Sequence, residues 1–386
     1  MVSVPQAQCS NFKFENHPFI NVLTKTTVLK QLCSFLKSSD IFNLYQIIKK
    51  SDFIASSFLK TAFHRSLEVS GPWFTGTNAI DYFNQIVRTV NPPNIIFQNF
   101  EQTIGSSIAL KFLTIVVKEN KSDVNVEFVR IKVLVLSGIK VTKSLIKYIS
   151  ENFKIKSLKV SKTTAQFDQY FQIEGLENFK VVDNNDYVAT NLKIINFVNL
   201  STLELVNCQR LSLGRLTDFV TRAQNLKKLI MIDCITDERN LHLKLFLESV
   251  FSDKTNLNEF KFKFSSSDSI MVSNFFQLEP PLLCNLKTLD LQNSGFLLFH
   301  MQSIVNSMQL LEYLNIKGIA VPLTLNLSRL VSLKALDIEY FQGVTQVVRT
   351  IQSSCFYRLN IVNRWSKKNK KKTLRNYLAG YSVNRK

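Results

Sequence analysis

The sequence predicts an α/β fold in which units of one strand and one helix stack into a solenoid, with a small helical bundle in front of them. Three observations predict it: a leucine pattern recurs along the chain, amphipathic segments separate its copies, and residues 26–63 show only helical periodicity. The chain has 386 residues and is 45% hydrophobic, so it can bury an extended core.

Residues 18–64 are predicted to form the helical bundle. Thr26 or Thr27 can cap a first helix, and a polar break at 38–40 offers a second N-cap. A third helix is predicted to begin at 51–52. A bundle of about 40 residues hardly covers its own apolar faces, so part of its surface is expected to face a partner or the repeats.

Residues 65–125 have no clear assignment and are interpreted as a linking region with degenerate first repeats. The sequence NPPN at 91–94 is the clearest break within it.

Residues 126–363 contain the pattern L-x-x-L-x-L. Six strong copies begin at Leu200, Leu226, Leu257, Leu286, Leu311 and Leu333, and three weaker copies begin at Ile131, Ile155 and Phe356. The steps between the strong copies are 26, 31, 29, 25 and 22 residues, close to the spacing of leucine-rich repeats. Each L-x-L part predicts a short strand with inward leucines, and these strands would stack in parallel about 4.8 Å apart.

The segments between these strands are amphipathic. Residues 216–223, 241–250 and 296–308 place apolar side chains three and four positions apart, as helices packed on the back of the sheet require. We therefore predict a leucine-rich-repeat solenoid of horseshoe shape. An ordinary α/β domain with leucine-rich strands is the alternative.

The run VLKQLCSFLKSSDIFNLYQI resembles an F-box, although Thr24 and Lys25 stand where that family usually has Leu-Pro. The matching positions are Val28, Leu29, Leu32, Phe35, Leu36, Asp40, Ile41, Leu44 and Ile47. The resemblance implies that they bind a Skp-family adaptor and through it a cullin. Together with repeats of the cysteine-containing type, it implies a non-catalytic substrate receptor of an SCF-type ubiquitin ligase. Separately, the scattered cysteines and the lack of a leader or membrane segment predict a cytoplasmic and/or nuclear location. The alternative is that these residues only pack against the repeats.

Side chains that alternate with the inward leucines are predicted to form the concave face and to bind the target protein. The candidate target-binding residues are Lys228, Ile230, Ile232, Lys261, Asp290, Tyr313, Asn315 and Asp337. Their charges are mixed and some are apolar, which favours a protein over a phosphate backbone. Each of them could instead be a merely solvated position.

The formal charge is +19, and nine basic residues with no acid lie in a C-terminal tail, residues 364–386, which leaves +10 for the rest. Five lysines within 367–372 indicate a nuclear import signal, a nucleic-acid or anionic-lipid contact, or a solvated terminus. The tail supports an alternative function, in which a DNA-associated protein of the kinetochore F-box and repeat type binds the adaptor and uses its basic surface on DNA.

Catalytic, metal and membrane functions find no support in the sequence. It lacks G-x-S-x-G, H-E-x-x-H and P-loop motifs, and its four histidines have no convincing sequence partners. The six cysteines are scattered without a C-x-x-C pair, so reduced and mostly buried thiols are expected, with no metal or cofactor. No apolar stretch approaches the roughly 18 residues of a membrane helix.

Overall fold

The computed structural model of the protein describes residues 41, 43–45, 52–63, 65–70, 77–98, 102–120, 129–162, 173, 175–183, 199–208, 211–234, 240–251, 256–265, 285–294, 298–319, 325–339 and 344–362. The strands in this part of the chain are β1 (Leu67–Ser70), β2 (Asn94–Gln98), β3 (Val129–Ser137), β4 (Phe153–Ser161), β5 (Asn178–Val182), β6 (Thr202–Val206), β7 (Lys228–Ile232), β8 (Glu259–Lys263), β9 (Thr288–Asp290), β10 (Tyr313–Ile316), β11 (Ala335–Glu339) and β12 (Arg358–Val362). The helices are α1 (Asp52–Phe63), α2 (Thr77–Val90), α3 (Gln102–Asn120), α4 (Lys143–Asn152), α5 (Leu213–Arg222), α6 (Asn240–Val250), α7 (Leu298–Ser307) and α8 (Val344–Arg349).

All twelve strands form one parallel sheet in the order of the sequence. Equivalent positions of successive copies lie side by side, so that Leu203 is paired with Leu229 and Leu229 with Phe260. The fold is therefore α/β with an all-parallel sheet, and this arrangement is compatible with a repeat solenoid. The helices predicted at 216–223, 241–250 and 296–308 are confirmed by α5, α6 and α7.

The leucine spacing arises because a buried residue at the bend before each strand, which we call the corner, is followed by two buried residues within the strand. In the copy that includes β7, Leu226 occupies the corner before the strand, while Leu229 and Met231 are the inward residues of the strand, and all three are buried. Burying one such side chain contributes about 1.5–3 kcal/mol, but a single copy has no neighbour to bury it against. The stacked sheet is thus the structure in which every copy covers the next.

A sharp turn follows most strands and explains the polar residue found there. Asn207 and Asp233 have positive φ angles of 51° and 53°, a region that asparagine, aspartate and glycine enter at lower cost than other residues. Their amides donate hydrogen bonds to the carbonyls of Ile232 and Lys263 at 2.7 and 2.9 Å, so the sheet ladder continues through the turn.

The cysteines after β6 and β7 lie just beyond these turns. Cys208 and Cys234 are buried, and the Cys234 thiol donates to the Leu205 carbonyl at 3.3 Å. The side-chain hydrogen bond between the Cys234 and Cys208 thiols, and then burial, raise the pKa of Cys234, which keeps this thiol protonated. Cys355, in contrast, is exposed, so the expectation of mostly buried cysteines does not extend to it.

The sheet begins well before residue 126. The region 65–125 contributes β1, α2, β2 and α3, and β1 and β2 pair in parallel with each other, while β2 pairs with β3. A further copy, which is not among the nine predicted from the sequence, forms β5 and has Leu176, Phe179 and Val181 as its buried residues.

Candidate functional site

The side chains that alternate with the buried leucines form the second face of the sheet, which we call the polar face. Its central row crosses the register-paired strands, for example from Lys180 through Glu204 and Ile230 to Lys261. It is a continuous surface because parallel pairing keeps equivalent side chains about 4.8 Å apart.

Four aliphatic side chains form a patch on this face. Val182, Val206 and Ile232 are neighbours in register on β5, β6 and β7, and Ile230 lies two residues from Ile232 on the same side of β7. All four are half-buried, unlike the inward residues of β5 to β7 on the opposite face, which are fully buried. We call this set the aliphatic patch; apolar groups on a surrounding wet surface are the usual anchors of a protein interface.

Ion pairs border the aliphatic patch. Lys180 is hydrogen-bonded to Glu204 on one side. On the other side, Glu259 accepts from Lys228 at 3.0 Å and from Lys261 at 2.6 Å. Burial acts to raise the pKa of Glu259, but the hydrogen bonds from these two lysines outweigh it and lower the pKa below its ordinary value. The border is therefore charged, and its charges are largely matched within the chain.

A second group of polar residues lies toward β12 and centres on Asp337. The Tyr313 hydroxyl donates to Asp337 Oδ2 at 2.7 Å, and Lys317 Nζ is 3.3 Å from the same oxygen. The Arg358 guanidinium is 3.6 Å from Asp337 Oδ1 and 5.3 Å from the centroid of the Tyr313 ring. Burial, and then the hydrogen bond to Asp337, raises the pKa of Tyr313, so its hydroxyl remains a donor.

Two neighbouring polar residues support turns after the strands. Asp290 accepts from the Gln292 amide and Asn315 from the Lys317 amide, each at 3.2 Å. Asp290 also pairs with Lys263 at 3.6 Å. These contacts are local, and they fix the backbone where it leaves β9 and β10.

The structure brings all eight predicted target-binding residues to the polar face but gives them different surroundings. Asp290, Asn315 and Asp337 are only 4%, 4% and 6% exposed, and each has a hydrogen bond or an ion pair with another residue of the chain. The others are at least partly accessible: Lys228, Ile230, Ile232, Lys261 and Tyr313. Val182 and Val206 are not among the predicted target-binding residues, although alternation along β6 already places Val206 on this face, and Val182 could have been found from the β5 copy.

Only two of the predicted adaptor-binding residues fall within the described part of the chain. Ile41 is buried and Leu44 is half-buried, and both belong to the hydrophobic core or pack against it. Their neighbour Tyr45 has its ring 4.7 Å from that of Tyr82 on α2 and is hydrogen-bonded to Gln85. The remaining predicted residues lie outside the described residues: Val28, Leu29, Leu32, Phe35, Leu36, Asp40 and Ile47.

The described ranges contain neither a metal-binding cluster nor a helix that could span a membrane. There, no group of three or more His, Cys, Asp or Glu side chains is placed to hold a metal ion. No helix in that part of the chain has the length and hydropathy needed to cross a bilayer. The basic tail lies outside the described residues. Comparison of the chain with protein-family models found no match, and comparison with curated proteins found none either.

Proposed function

We propose that the chain is the target-recognition subunit of an SCF-type ubiquitin ligase. The polar face binds the target protein, with the aliphatic patch as the anchor, and the N-terminal segment binds a Skp-family adaptor that recruits a cullin. The aliphatic patch is the observation that supports the recognition half best. Four half-buried aliphatic side chains on a polar surface gain free energy when a partner excludes water from them.

The charge pattern of the polar face favours a protein target over nucleic acid. Lysines at 180, 228, 261, 263 and 317 each lie within ion-pair distance of a carboxylate of the chain. Phosphate binding draws its affinity from free cations that displace counterions, and paired lysines contribute little to that. Paired charges instead orient a protein partner at the rim of an interface.

The adaptor half of the proposal rests on the resemblance of residues 28–47 to an F-box. Within this run, Tyr45 is one of the described residues, and its ring packs against Tyr82 of α2, the helix that connects β1 and β2. An adaptor bound there would leave the polar face of β5 to β7 free for the target.

The target half is tested by placing charges in the aliphatic patch. The double variant Ile230→Asp, Ile232→Asp should lose proteins captured by the natural chain from cells that express it, because two carboxylates would have to be desolvated on binding. Lys227→Asp is the matched control, since Lys227 is exposed and precedes the same strand. Equal capture by both variants, with unchanged circular dichroism, would reject the aliphatic patch as the anchor.

The adaptor half is tested by co-expression with a Skp-family adaptor. Leu32→Asp combined with Phe35→Asp should abolish co-purification, and unchanged recovery would reject the F-box interpretation. The DNA alternative would instead be supported if binding to a labelled duplex falls steeply with salt and weakens when residues 367–386 are removed.

A further inference from the structure

The two ends of the sheet differ in how well they are covered. At the N-terminal end the inward residues of β1, Leu67 and Val69, are 1% and 0% exposed. Helix α1 precedes this strand and packs on α2, and its Phe58, Leu59 and Phe63 are also buried. The core is therefore closed where the sheet begins.

The C-terminal end has apolar side chains that are only partly covered. Leu336 and Ile338 of β11 are 0% exposed, whereas the equivalent Leu359 and Ile361 of β12 are only half-buried. Tyr357 is 71% exposed beside them. Within the described part of the chain no helix or strand follows β12, so these residues and the outer edge of that strand form an apolar end. Stacked repeats require a terminal element that covers such an end.

The sequence that follows β12 contains a segment suited to this role. Residues 373–381, TLRNYLAGY, begin with threonine, a favoured N-cap residue, and we call them the tail segment. The apolar residues of the tail segment recur at i, i+3, i+4 and i+7 and are Leu374, Tyr377, Leu378 and Tyr381. This spacing places them on one side of a helix, with Arg375 and Asn376 on the other.

We propose that the tail segment covers the apolar end formed by Phe356, Leu359 and Ile361, and so acts as the C-terminal cap of the sheet. The ten residues 363–372 connect β12 to it and can span up to about 33 Å, which is ample to fold back over a single strand. A second copy of the chain is a poorer occupant, because joining two such ends would bring together two tails with nine basic residues each. In this arrangement the five lysines of 367–372 lie in the connection between strand and cap.

Hydrogen exchange of the full-length protein tests the proposal. We expect the amides of β12 to exchange about tenfold faster or more in the double variant Leu374→Asp, Leu378→Asp. In the natural chain, opening of β12 would require the tail segment to leave the apolar end, and in the variant it would not. Asn376→Asp is the matched control, since it adds a carboxylate to the polar side of the tail segment, and it should leave β12 unchanged. Exchange of β12 that is identical in the natural chain and the double variant would overturn the proposal.

A cross-linking measurement covers the case in which the double variant fails to fold. Benzoylphenylalanine in place of Tyr357, in the otherwise natural chain, should cross-link within one molecule to residues 374–381. Cross-links to a second copy, or none to residues 374–381, would refute the cap. Light scattering of the same sample should give the mass of a monomer, and a dimer that persists in the Leu374→Asp, Leu378→Asp variant would also overturn it.

Discussion

Asp337 provides the most direct test of how the polar face is organised. This carboxylate is 6% exposed and lies between a tyrosine hydroxyl, an ammonium group and a guanidinium group, so it should act as a fixed internal counterion. If that is right, Asp337→Ala should destabilise β10 and β11 even in the absence of any target. If Asp337 were instead mainly a target contact, its removal would change binding and leave stability nearly unaltered.

The size of the effect follows from the contacts that are lost. A hydrogen bond to a charged group contributes about 1.5–3 kcal/mol, and the replacement also leaves two cations without their nearest carboxylate. We therefore expect Asp337→Ala to lower the local free energy of opening by about 3 kcal/mol. Asp337→Asn keeps an acceptor for Tyr313 but removes the charge, so a smaller loss of about 1–2 kcal/mol is expected.

A double-mutant cycle isolates the pair. Tyr313→Phe, Asp337→Ala and the double variant are compared by amide exchange in β10 and β11, which reports local opening. The hydrogen bond of 2.7 Å predicts a coupling energy of about 1–2 kcal/mol. Losses that simply add, within about 0.3 kcal/mol, would show that the two side chains do not act together and would refute the reasoning.

Three further predictions concern the core, the charged rim and the thiols. Leu229→Ala should lower the free energy of unfolding, measured in urea, by about 2–5 kcal/mol because it leaves a cavity in the core. Lys227→Ala, at an exposed position, should change this free energy by less than about 0.5 kcal/mol. Equal effects of the two replacements would contradict the assignment of these residues to the buried and exposed sides. The lowered pKa of Glu259 means that its ion pairs stabilise the fold above its ordinary pKa of 4.5 and lose this effect as the pH falls below that value. The stability advantage over Glu259→Gln should therefore shrink in acid, and an advantage independent of pH would argue against these ion pairs. Iodoacetamide should alkylate Cys355 well before Cys234, as followed by peptide mass spectrometry. Cys355 is exposed, whereas a hydrogen bond and burial raise the pKa of Cys234. Simultaneous labelling of the two cysteines would contradict the buried position of Cys234.

The strands that are predictable from the sequence are those with a strong aliphatic pattern. Leu226, Leu229 and Met231 specify a strand because their spacing can bury all three only at a corner followed by a strand. The leucine pattern does not extend to β2, because the residue at its corner position is Pro92, which is buried but is not a leucine. At β5, Phe179 takes a leucine position, and the weaker pattern was passed over.

The candidate site was less predictable from sequence. Alternation along a strand is enough to assign Ile230 and Asp337 to the same face, but it treats them as equivalent. In the structure Ile230 is half-buried in the aliphatic patch, whereas Asp337 is enclosed by Tyr313, Lys317 and Arg358 from neighbouring strands or the turn after them. The exposure of each side chain depends on those neighbours, whose positions cannot be inferred from the alternation of residues along a single strand.

The sequence by itself determined which side chains of the recognised copies face the core and that the strands of those copies stack in parallel, because a recurring leucine pattern is buried only when each copy covers the next. Only the tertiary structure decided where the sheet begins, which polar residues neutralise one another and where the apolar side chains of β12 stay half-covered. Most of the contacts behind those features join residues 20 or more positions apart, as with Tyr313 and Asp337. Contacts between side chains on different strands depend on geometry that no short stretch of sequence contains.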